Sequence, residues 1–297
     1  MFLTESTKKN LRRKSGYIDS VQMHQGRPLF SWLELNVTEL CNRKCIFCPR
    51  HDPSFYPNQK LHLPIQLTEK ISEELGELRY KGAVVLCGYG EPLLHPNFPE
   101  IVRIISKNSR VEIVTNGDEL TSKNVSQLFE LGASYFVVSM YDGPEQIENF
   151  QKIFSVAGLS EDYFILRDRW HSEEDAFGLK LTNRGGTIDV GNQDPVVTDH
   201  PCHYPAYSMT IDWNGDVLLC VQDWNKRIKL GNLNFQTLLE VWYSSELAKW
   251  RRRLIQGRRS KLPCSRCNTD GTLHGYNHVA SWQSKTNKFL SGKINYK

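Results

Sequence analysis

The sequence predicts an α/β fold with a parallel sheet, followed by a smaller C-terminal unit. From residue 29 to about residue 190, short apolar runs alternate with segments in which apolar residues recur at helical spacing. Strands that alternate with helices of this length indicate βαβ units joined by right-handed crossovers. Past residue 200 the alternation gives way to a hairpin signal and short helices. A chain of 297 residues is long enough for one large and one small domain.

Composition and charge exclude few classes of function. The formal net charge of +4 is too small to indicate nucleic acid as a partner. No apolar run approaches the roughly 18 residues of a membrane span, and the polar N-terminus lacks the apolar centre of a secretory signal. We therefore expect a cytoplasmic protein that binds no membrane and keeps its eight cysteines reduced.

The first predicted strand delivers a loop rich in cysteine. Residues 1–28 are charged and predict an irregular, solvated tail. Residues 29–37, LFSWLELNV, combine apolar and β-prone side chains, which indicates a buried strand. Parallel α/β folds place their chemistry in the loops that follow the C-terminal ends of strands. The loop after residue 37 is therefore expected to be functional.

Strands and helices then follow in alternation. The next helix is predicted at residues 68–78, with Thr68 as its N-cap. Residues 276–297 are polar and predict a C-terminal tail. The other strands of the alternating region are predicted at residues 83–87, 111–114, 135–139 and 163–166, and the other helices of the chain at residues 98–105, 123–131, 145–154, 238–242 and 245–254.

Three closely spaced cysteines, Cys41, Cys45 and Cys48, form a CxxxCxxC motif after the first strand. They cannot all pair as disulfides, and the one nearby histidine, His51, is expected to be a surface loop residue and not the fourth ligand of a zinc site. Soft thiolates favour an iron–sulfur cluster, and three ligands on a four-iron cluster leave one iron open to a further ligand. Scattered structural cysteines or part of a zinc knuckle are the alternatives.

A second motif, Cys87-Gly88-Tyr89-Gly90-Glu91-Pro92, follows the strand at residues 83–87. Its glycines permit close backbone approach, and its carboxylate can meet an ammonium group. Asn116 and Ser139 end the next two strands, where they are either cofactor contacts or ordinary turn residues.

Together, CxxxCxxC and GYGEP resemble the radical S-adenosylmethionine (radical SAM) superfamily. The resemblance implies a partial (β/α)6 barrel, here over residues 29–195, with a [4Fe–4S] cluster on the three cysteines. It also implies that the open iron binds S-adenosylmethionine (SAM), which the cluster cleaves to a 5′-deoxyadenosyl radical. The resemblance assigns SAM binding to Phe47, Gly88, Gly90, Glu91, Pro92, Asn116 and Ser139.

The C-terminal part carries four more cysteines. Asn214-Gly215 predicts a type I′ turn between strands at residues 207–213 and 216–219. By spacing alone, the four thiolates could hold zinc or a fully ligated cluster. Beside a radical SAM barrel they resemble the twitch domain, a shortened SPASM domain of hairpin and helix, here over residues 196–275. That resemblance implies a single auxiliary [4Fe–4S] cluster on Cys202, Cys220, Cys264 and Cys267.

The resemblance further implies an oxidoreductase. The sequence is similar to radical SAM enzymes that modify a sugar, a sugar nucleotide or an aminocyclitol, in which the auxiliary cluster accepts an electron from the substrate. Arg184 and Gln222 are then expected to face a substrate hydroxyl, although Gln222 replaces an expected carboxylate. Cys87 is either a buried small hydrophobe or a hydrogen-atom donor. In the second case the reaction would be an epimerisation.

Alternatives remain open at this level. Related radical SAM proteins modify ribosomal peptides, and a non-catalytic protein that binds metal or nucleic acid is a remote third possibility. Basic residues at positions 251–253, 258, 259 and 261 form either a solvated helix face or a docking site for an acidic electron donor of the flavodoxin or ferredoxin type.

Overall fold

The computed structural model describes residues 5–170, 182–189, 195–196 and 198–289. Its strands are β1 (Met23–His24), β2 (Arg27–Pro28), β3 (Trp32–Asn36), β4 (Ala83–Cys87), β5 (Arg110–Thr115), β6 (Ala133–Met140), β7 (Phe164–Asp168), β8 (Ser208–Ile211), β9 (Asp216–Leu218) and β10 (Lys229–Asn232). Its α-helices are α1 (Glu5–Ile18), α2 (Ile65–Glu77), α3 (Phe98–Ile105), α4 (Ser122–Glu130), α5 (Gln146–Val156), α6 (Tyr204–Tyr207), α7 (Leu238–Trp242), α8 (Ser245–Ile255) and α9 (Tyr276–Phe289).

One eight-stranded sheet organises the described residues, in the order β10-β9-β8-β3-β4-β5-β6-β7. Strands β3 to β7 pair in sequence order, all parallel, and helices α2 to α5 connect them. The predicted βαβ alternation is confirmed. The sixth parallel strand is β8, which pairs with β3 from the C-terminal part of the chain, and the antiparallel strands β9 and β10 extend the same sheet. Residue 195, the predicted domain boundary, therefore lies between strands of one sheet.

Alternation along the strands separates the core from the site. Leu33 and Leu35 of β3 belong to the apolar core, whereas Trp32 and Glu34 line a cavity. Successive side chains of a strand point to opposite faces, so one face packs on helices while the other is free for chemistry. Cys87 at the end of β4 also lines the cavity.

Both predicted tails are wrong over their described parts. Residues 5–18 form α1, and Arg13 of that helix forms an ion pair with the buried Glu112. Residues 276–289 form α9, in which His278 Nε2 lies 2.9 Å from the hydroxyl of Ser31. The charge of this segment predicts solvation, but Arg13 is packed between the rings of Trp32 and Tyr135.

Two local predictions are also wrong. Helix α2 begins at Ile65, and the Thr68 hydroxyl donates to the Pro64 carbonyl (3.1 Å) within the helix instead of capping it. The Asn214-Gly215 pair forms no type I′ turn, because that turn needs a positive φ at both positions and only Gly215, at +85°, has one. The Gly215 amide donates to the Asp212 carbonyl (2.9 Å), which makes a longer loop closed by glycine.

Only some of the residues in the predicted basic surface are exposed to solvent. The Arg251 guanidinium is buried over Trp282 and donates to the Pro205 carbonyl (2.9 Å). Arg259 is also buried, whereas Arg252 and Arg258 are exposed. None of the helices in the described residues has the length and apolar character needed to span a bilayer.

Candidate active site

A cavity, called here the active-site cavity, lies on the polar face of the parallel strands. It collects side chains from loops that are far apart in sequence, as expected where parallel strands end at one edge. Pro92 is not among the residues that line this cavity; it begins a short 3₁₀ turn, Pro92–Leu94, that follows Glu91. The other residues predicted from the first cluster, the SAM contacts and the chemistry all line the cavity: Cys41, Cys45, Phe47, Cys48, Cys87, Gly88, Gly90, Glu91, Asn116, Ser139, Arg184 and Gln222.

The CxxxCxxC loop is fixed by ion pairs on both sides. The Arg43 guanidinium, in the middle of the motif, contacts the carboxylates of Asp118 (2.5 Å) and Asp142 (2.7 Å). Arg50, just after the motif, donates to the Glu39 carboxylate (2.8 Å) and to the Tyr89 carbonyl. Bidentate and buried arginine pairs of this kind hold backbone in place. The three thiols are therefore presented on a preorganised loop.

The three thiols of this loop fit a cationic cluster. Burial, together with smaller contributions from the neighbouring Cys48 and Cys41 sulfurs, raises the pKa of the Cys45 thiol to about 12. Burial also raises the pKa of Cys41 and of Cys48. Such thiols ionise only when a nearby metal charge compensates them. In the described residues no three metal-binding side chains converge on a single ion, and a four-iron cluster does not require that, because each iron takes its own thiolate.

The GYGEP loop packs on the end of β3 because two of its positions have no side chain. Gly88 has a φ of +131°, and a Cβ there would lie 2.2 Å from Asn36 Oδ1. A Cβ on Gly90 would lie 2.3 Å from the Thr38 carbonyl oxygen. Both glycines are therefore required for the backbone to approach the cysteine loop.

Glu91 holds the neighbouring loops together. Its carboxylate accepts hydrogen bonds from the Thr115 hydroxyl (2.6 Å), the Asn116 amide (2.7 Å) and the Leu93 amide (3.1 Å). Burial raises its pKa to about 7, while the Thr115 and Asn116 donors oppose that rise. Binding of the SAM ammonium by Glu91 stays a prediction, and the structure shows its carboxylate already positioning Asn116.

Phe47 and Ser139 each contact a neighbouring side chain of the protein. The Phe47 ring stacks on Tyr141 with centroids 5.6 Å apart. The Ser139 hydroxyl accepts a hydrogen bond from Arg167 Nη2 (2.7 Å). Both residues line the active-site cavity, and their SAM contacts remain predictions.

The four C-terminal cysteines surround a second, smaller cavity, called here the auxiliary cavity. Burial raises the pKa of Cys202 to about 11 and that of Cys264 to about 12, and the other thiols of the group add to the rise. Thr269 Oγ1 and Arg259 Nε are buried at this cavity without a hydrogen-bond partner in the described residues. Orphaned donors beside four thiols fit a cluster whose sulfur atoms would accept from them.

Tyr204 and Gln222 line both cavities. Gln222 Oε1 accepts a hydrogen bond from the Thr182 hydroxyl (3.0 Å). Arg184 lies in a left-handed conformation (φ +50°), and its charge partly opposes the rise that burial causes in the pKa of Cys48. The two residues predicted to face the substrate are thus placed between the two cysteine groups.

The prediction from sequence missed three charged residues, Lys14, Glu34 and Arg167, which line the active-site cavity beside Cys87. We call this trio the cavity floor. Glu34 carried a usable signal, because a carboxylate inside an otherwise apolar strand is rarely buried without a role. Nothing in the sequence pattern distinguished Lys14 from its basic neighbours.

Comparison with known proteins agrees with this geometry. The radical SAM superfamily profile matches residues 35–165, and SPASM, an iron–sulfur cluster-binding domain, matches residues 202–268. The S-adenosyl-L-methionine-dependent 2-deoxy-scyllo-inosamine dehydrogenase of Niallia circulans is 30% identical over 245 residues, covering 81% of this chain and 93% of the relative.

Solved structures share the fold. The crystal structure of BtrN in complex with AdoMet and 2-DOIA superposes with a TM-score of 0.69 at 27% identity, covering 84% of this chain and 98% of that one. Native anSMEcpe with bound AdoMet gives a TM-score of 0.52 at 15% identity, covering 88% and 97%, which shows the fold alone. The chain therefore belongs to the radical SAM superfamily, as an iron–sulfur oxidoreductase that uses SAM, a SAM-binding [4Fe–4S] cluster and an auxiliary [4Fe–4S] cluster.

Proposed function

We propose that the protein oxidises a hydroxyl-bearing carbon of a small polyol (a sugar, a sugar nucleotide or an aminocyclitol) to a ketone. The observation that carries this proposal is the shared lining of the two cavities by Tyr204 and Gln222. A substrate in the active-site cavity is then adjacent to the site that takes up its electron. The relative from Niallia circulans, a dehydrogenase of 2-deoxy-scyllo-inosamine, supports the same class of reaction.

The cofactors and the protein side chains carry out different parts of the proposed reaction. When bound, SAM and the clusters supply a 5′-deoxyadenosyl radical that removes the carbon-bound hydrogen, and an acceptor for the electron released as the ketone forms. We assign to Gln222 the binding of the substrate hydroxyl, because its carbonyl oxygen is held by Thr182 and its amide N–H groups are left to donate. A guanidinium favours the deprotonated form of a nearby hydroxyl, so Arg184 assists loss of the hydroxyl proton to water.

Product analysis tests this proposal. Reduced holoenzyme with SAM and a panel of polyols should form ketone and 5′-deoxyadenosine in equal amounts. Arg184→Lys and Gln222→Ala should lower ketone formation by about tenfold to a thousandfold, since each removes a positioned group. Formation of 5′-deoxyadenosine without ketone, for every polyol that triggers it, would contradict oxidation.

A specific observation also favours a second reaction, epimerisation at the same carbon. Cys87 lines the active-site cavity, and burial raises its pKa well above its usual range, so its S–H group stays protonated at neutral pH. A protonated thiol can return a hydrogen atom to a substrate radical, after which its sulfur must take up an electron and a proton. In heavy water, the wild type would then place one deuterium on the product carbon, and Cys87→Ala would not. Ketone formation by both proteins would instead support oxidation.

We further propose an acidic electron donor of the flavodoxin or ferredoxin type, with no nucleic-acid partner and a cytoplasmic location. The exposed Arg252, Arg258 and Lys261 support electrostatic docking of such a donor. Reduction by flavodoxin should therefore slow as salt is raised from about 50 to 300 mM.

Peptide modification remains the alternative drawn from the resemblance, and no particular contact of this structure favours it.

A further inference from the structure

The cavity floor carries charges that the protein leaves unsatisfied. Lys14 Nζ lies 4.8 Å from the Trp32 ring centroid and has no hydrogen bond or ion pair in the described part of the chain. Arg167 donates from Nη2 to Ser139 (2.7 Å), but its Nε is buried without a hydrogen-bond partner among the described residues. Glu34 Oε1 accepts from the Trp32 indole (3.1 Å), while its buried Oε2 has no partner there either. Buried polar atoms in this state indicate a missing ligand.

The three groups lie close enough to act as one site. The Lys14 ammonium lies over the Trp32 ring, whose indole N–H donates to Glu34, and the Arg167 charge also acts on Lys14. They come from α1, β3 and β7 and line the same cavity. The site is therefore built by three elements of the fold and does not depend on one mobile loop.

The other cations of the active-site cavity either have counter-charges or lie beside the first cluster motif. Arg13 pairs with Glu112, and Arg43 pairs with Asp118 and Asp142. Arg184 acts on Cys48 of the first cluster motif. Arg169 lines both this cavity and a second cleft with Cys45 and Tyr141, beside the same motif.

The cavity floor therefore holds two cations, Lys14 and Arg167, against one carboxylate, Glu34. A buried charge without a counter-ion is costly, so one further negative charge would neutralise the floor.

We propose that the cavity floor is an anion-binding subsite, and that the substrate is a hydroxylated ring carrying a carboxylate or phosphate group. The inference rests on the proposed function and narrows its substrate class. Arg167 and Lys14 bind the anion by charge-assisted hydrogen bonds, as these side chains commonly do for carboxylate and phosphate. Glu34 Oε2 accepts a hydrogen bond from a neighbouring ring hydroxyl.

Calorimetric titration of the anaerobic holoenzyme with SAM present tests the subsite directly. The probes are D-glucuronate, D-glucose 6-phosphate and D-glucose, which share a ring and differ in the anion. We expect one anionic probe to bind about tenfold or more tighter than D-glucose, and the preferred probe tells carboxylate from phosphate. Lys14→Gln should abolish the preference and Lys14→Arg should keep it.

Lys8→Gln is the matched control, because Lys8 lies on the same helix but is exposed and paired with Glu5 (2.6 Å). It should leave the preference unchanged. Arg167→Gln, with its melting temperature checked, tests the second cation independently of Lys14. Equal affinity for charged and neutral probes, binding of neither anionic probe, or a preference that survives Lys14→Gln would each overturn the subsite.

The two proposals fail in different ways. If a neutral polyol is oxidised to a ketone and the anionic probes show no preference, the proposed function stands and the subsite is wrong. If no polyol, charged or neutral, triggers 5′-deoxyadenosine release, the proposed function itself is wrong.

Discussion

The pKa of Lys14 lies within the pH range in which such an enzyme would be assayed. Burial lowers it to about 8, the Arg13 and Arg167 charges act in the same direction, and the Glu34 carboxylate opposes them. His274 also faces this ammonium, but burial lowers its own pKa to about 4, so it stays neutral. Lys14 therefore loses its positive charge as pH rises through about 8.

Anion binding should follow this titration. Affinity for the preferred anionic probe should fall by roughly tenfold between pH 7 and pH 9, because only protonated Lys14 binds it. D-Glucuronate suits this measurement, since its carboxylate stays ionised throughout. Lys14→Arg should remove the pH dependence, because arginine keeps its proton in this range. A wild-type affinity that stays constant to pH 9 would contradict the role given to Lys14.

Single substitutions in the CxxxCxxC motif should abolish SAM cleavage. Cys48→Ala leaves two thiolates for the first cluster, and we expect loss of about half the iron and of all 5′-deoxyadenosine formation. Cys87→Ala is the matched control, since it removes a thiol from the same cavity and should keep full iron content and SAM cleavage. Retained SAM cleavage in Cys48→Ala would show that the catalytic cluster lies elsewhere.

At the scale of elements, the β8–β9 hairpin brings the auxiliary site to the barrel. Cys220 follows β9, and Cys202 precedes α6. Cys220→Ala should remove about half the iron while SAM cleavage persists, uncoupled from ketone formation. Cluster binding also contributes to folding, so the variant must first be shown to be soluble and folded. Full ketone yield in a folded variant lacking that iron would remove the auxiliary cluster from the reaction.

A buried ionic network joins the hairpin to the loop that follows β3. Lys226 Nζ contacts the carboxylates of Glu39 (2.5 Å) and Asp212 (2.6 Å), both almost fully buried. Lys226→Gln leaves these carboxylates short of a cation, and we expect the free energy of unfolding to fall by about 3 kcal/mol.

Lys229→Gln provides the comparison for this network in chemical denaturation. Lys229 is 54% exposed and pairs with Asp216 at 2.7 Å, so its loss should change stability by less than about 1 kcal/mol. Equal effects of the two substitutions would mean that the network does not hold the hairpin.

The elements that sequence predicted well are those whose burial follows a simple period. The bounds of β4 and α3 agree with prediction, because one is a continuous apolar run and the other a regular amphipathic turn pattern. Helix α1 was missed because its buried contacts use arginine and lysine on aromatic rings, which a hydrophobic pattern does not register.

At the scale of the whole molecule, the cofactor sites were predictable and the substrate site was not. Cysteine spacing and the GYGEP loop are local signals, and each lies on a short stretch of chain. The cavity floor is made by Lys14, Glu34 and Arg167, which are up to 153 positions apart in the sequence. Only the parallel topology and the return of β8 to β3 bring such residues and the auxiliary site around one cavity.

Deuterium transfer to 5′-deoxyadenosine identifies the carbon from which hydrogen is abstracted. Reduced holoenzyme would be given SAM and anionic polyols carrying deuterium on each hydroxyl-bearing carbon in turn. We predict one deuterium in 5′-deoxyadenosine for a single labelled carbon, with an equal amount of ketone formed at that carbon. If 5′-deoxyadenosine is released in the presence of these polyols but never carries deuterium, hydrogen abstraction from a hydroxyl-bearing carbon is contradicted.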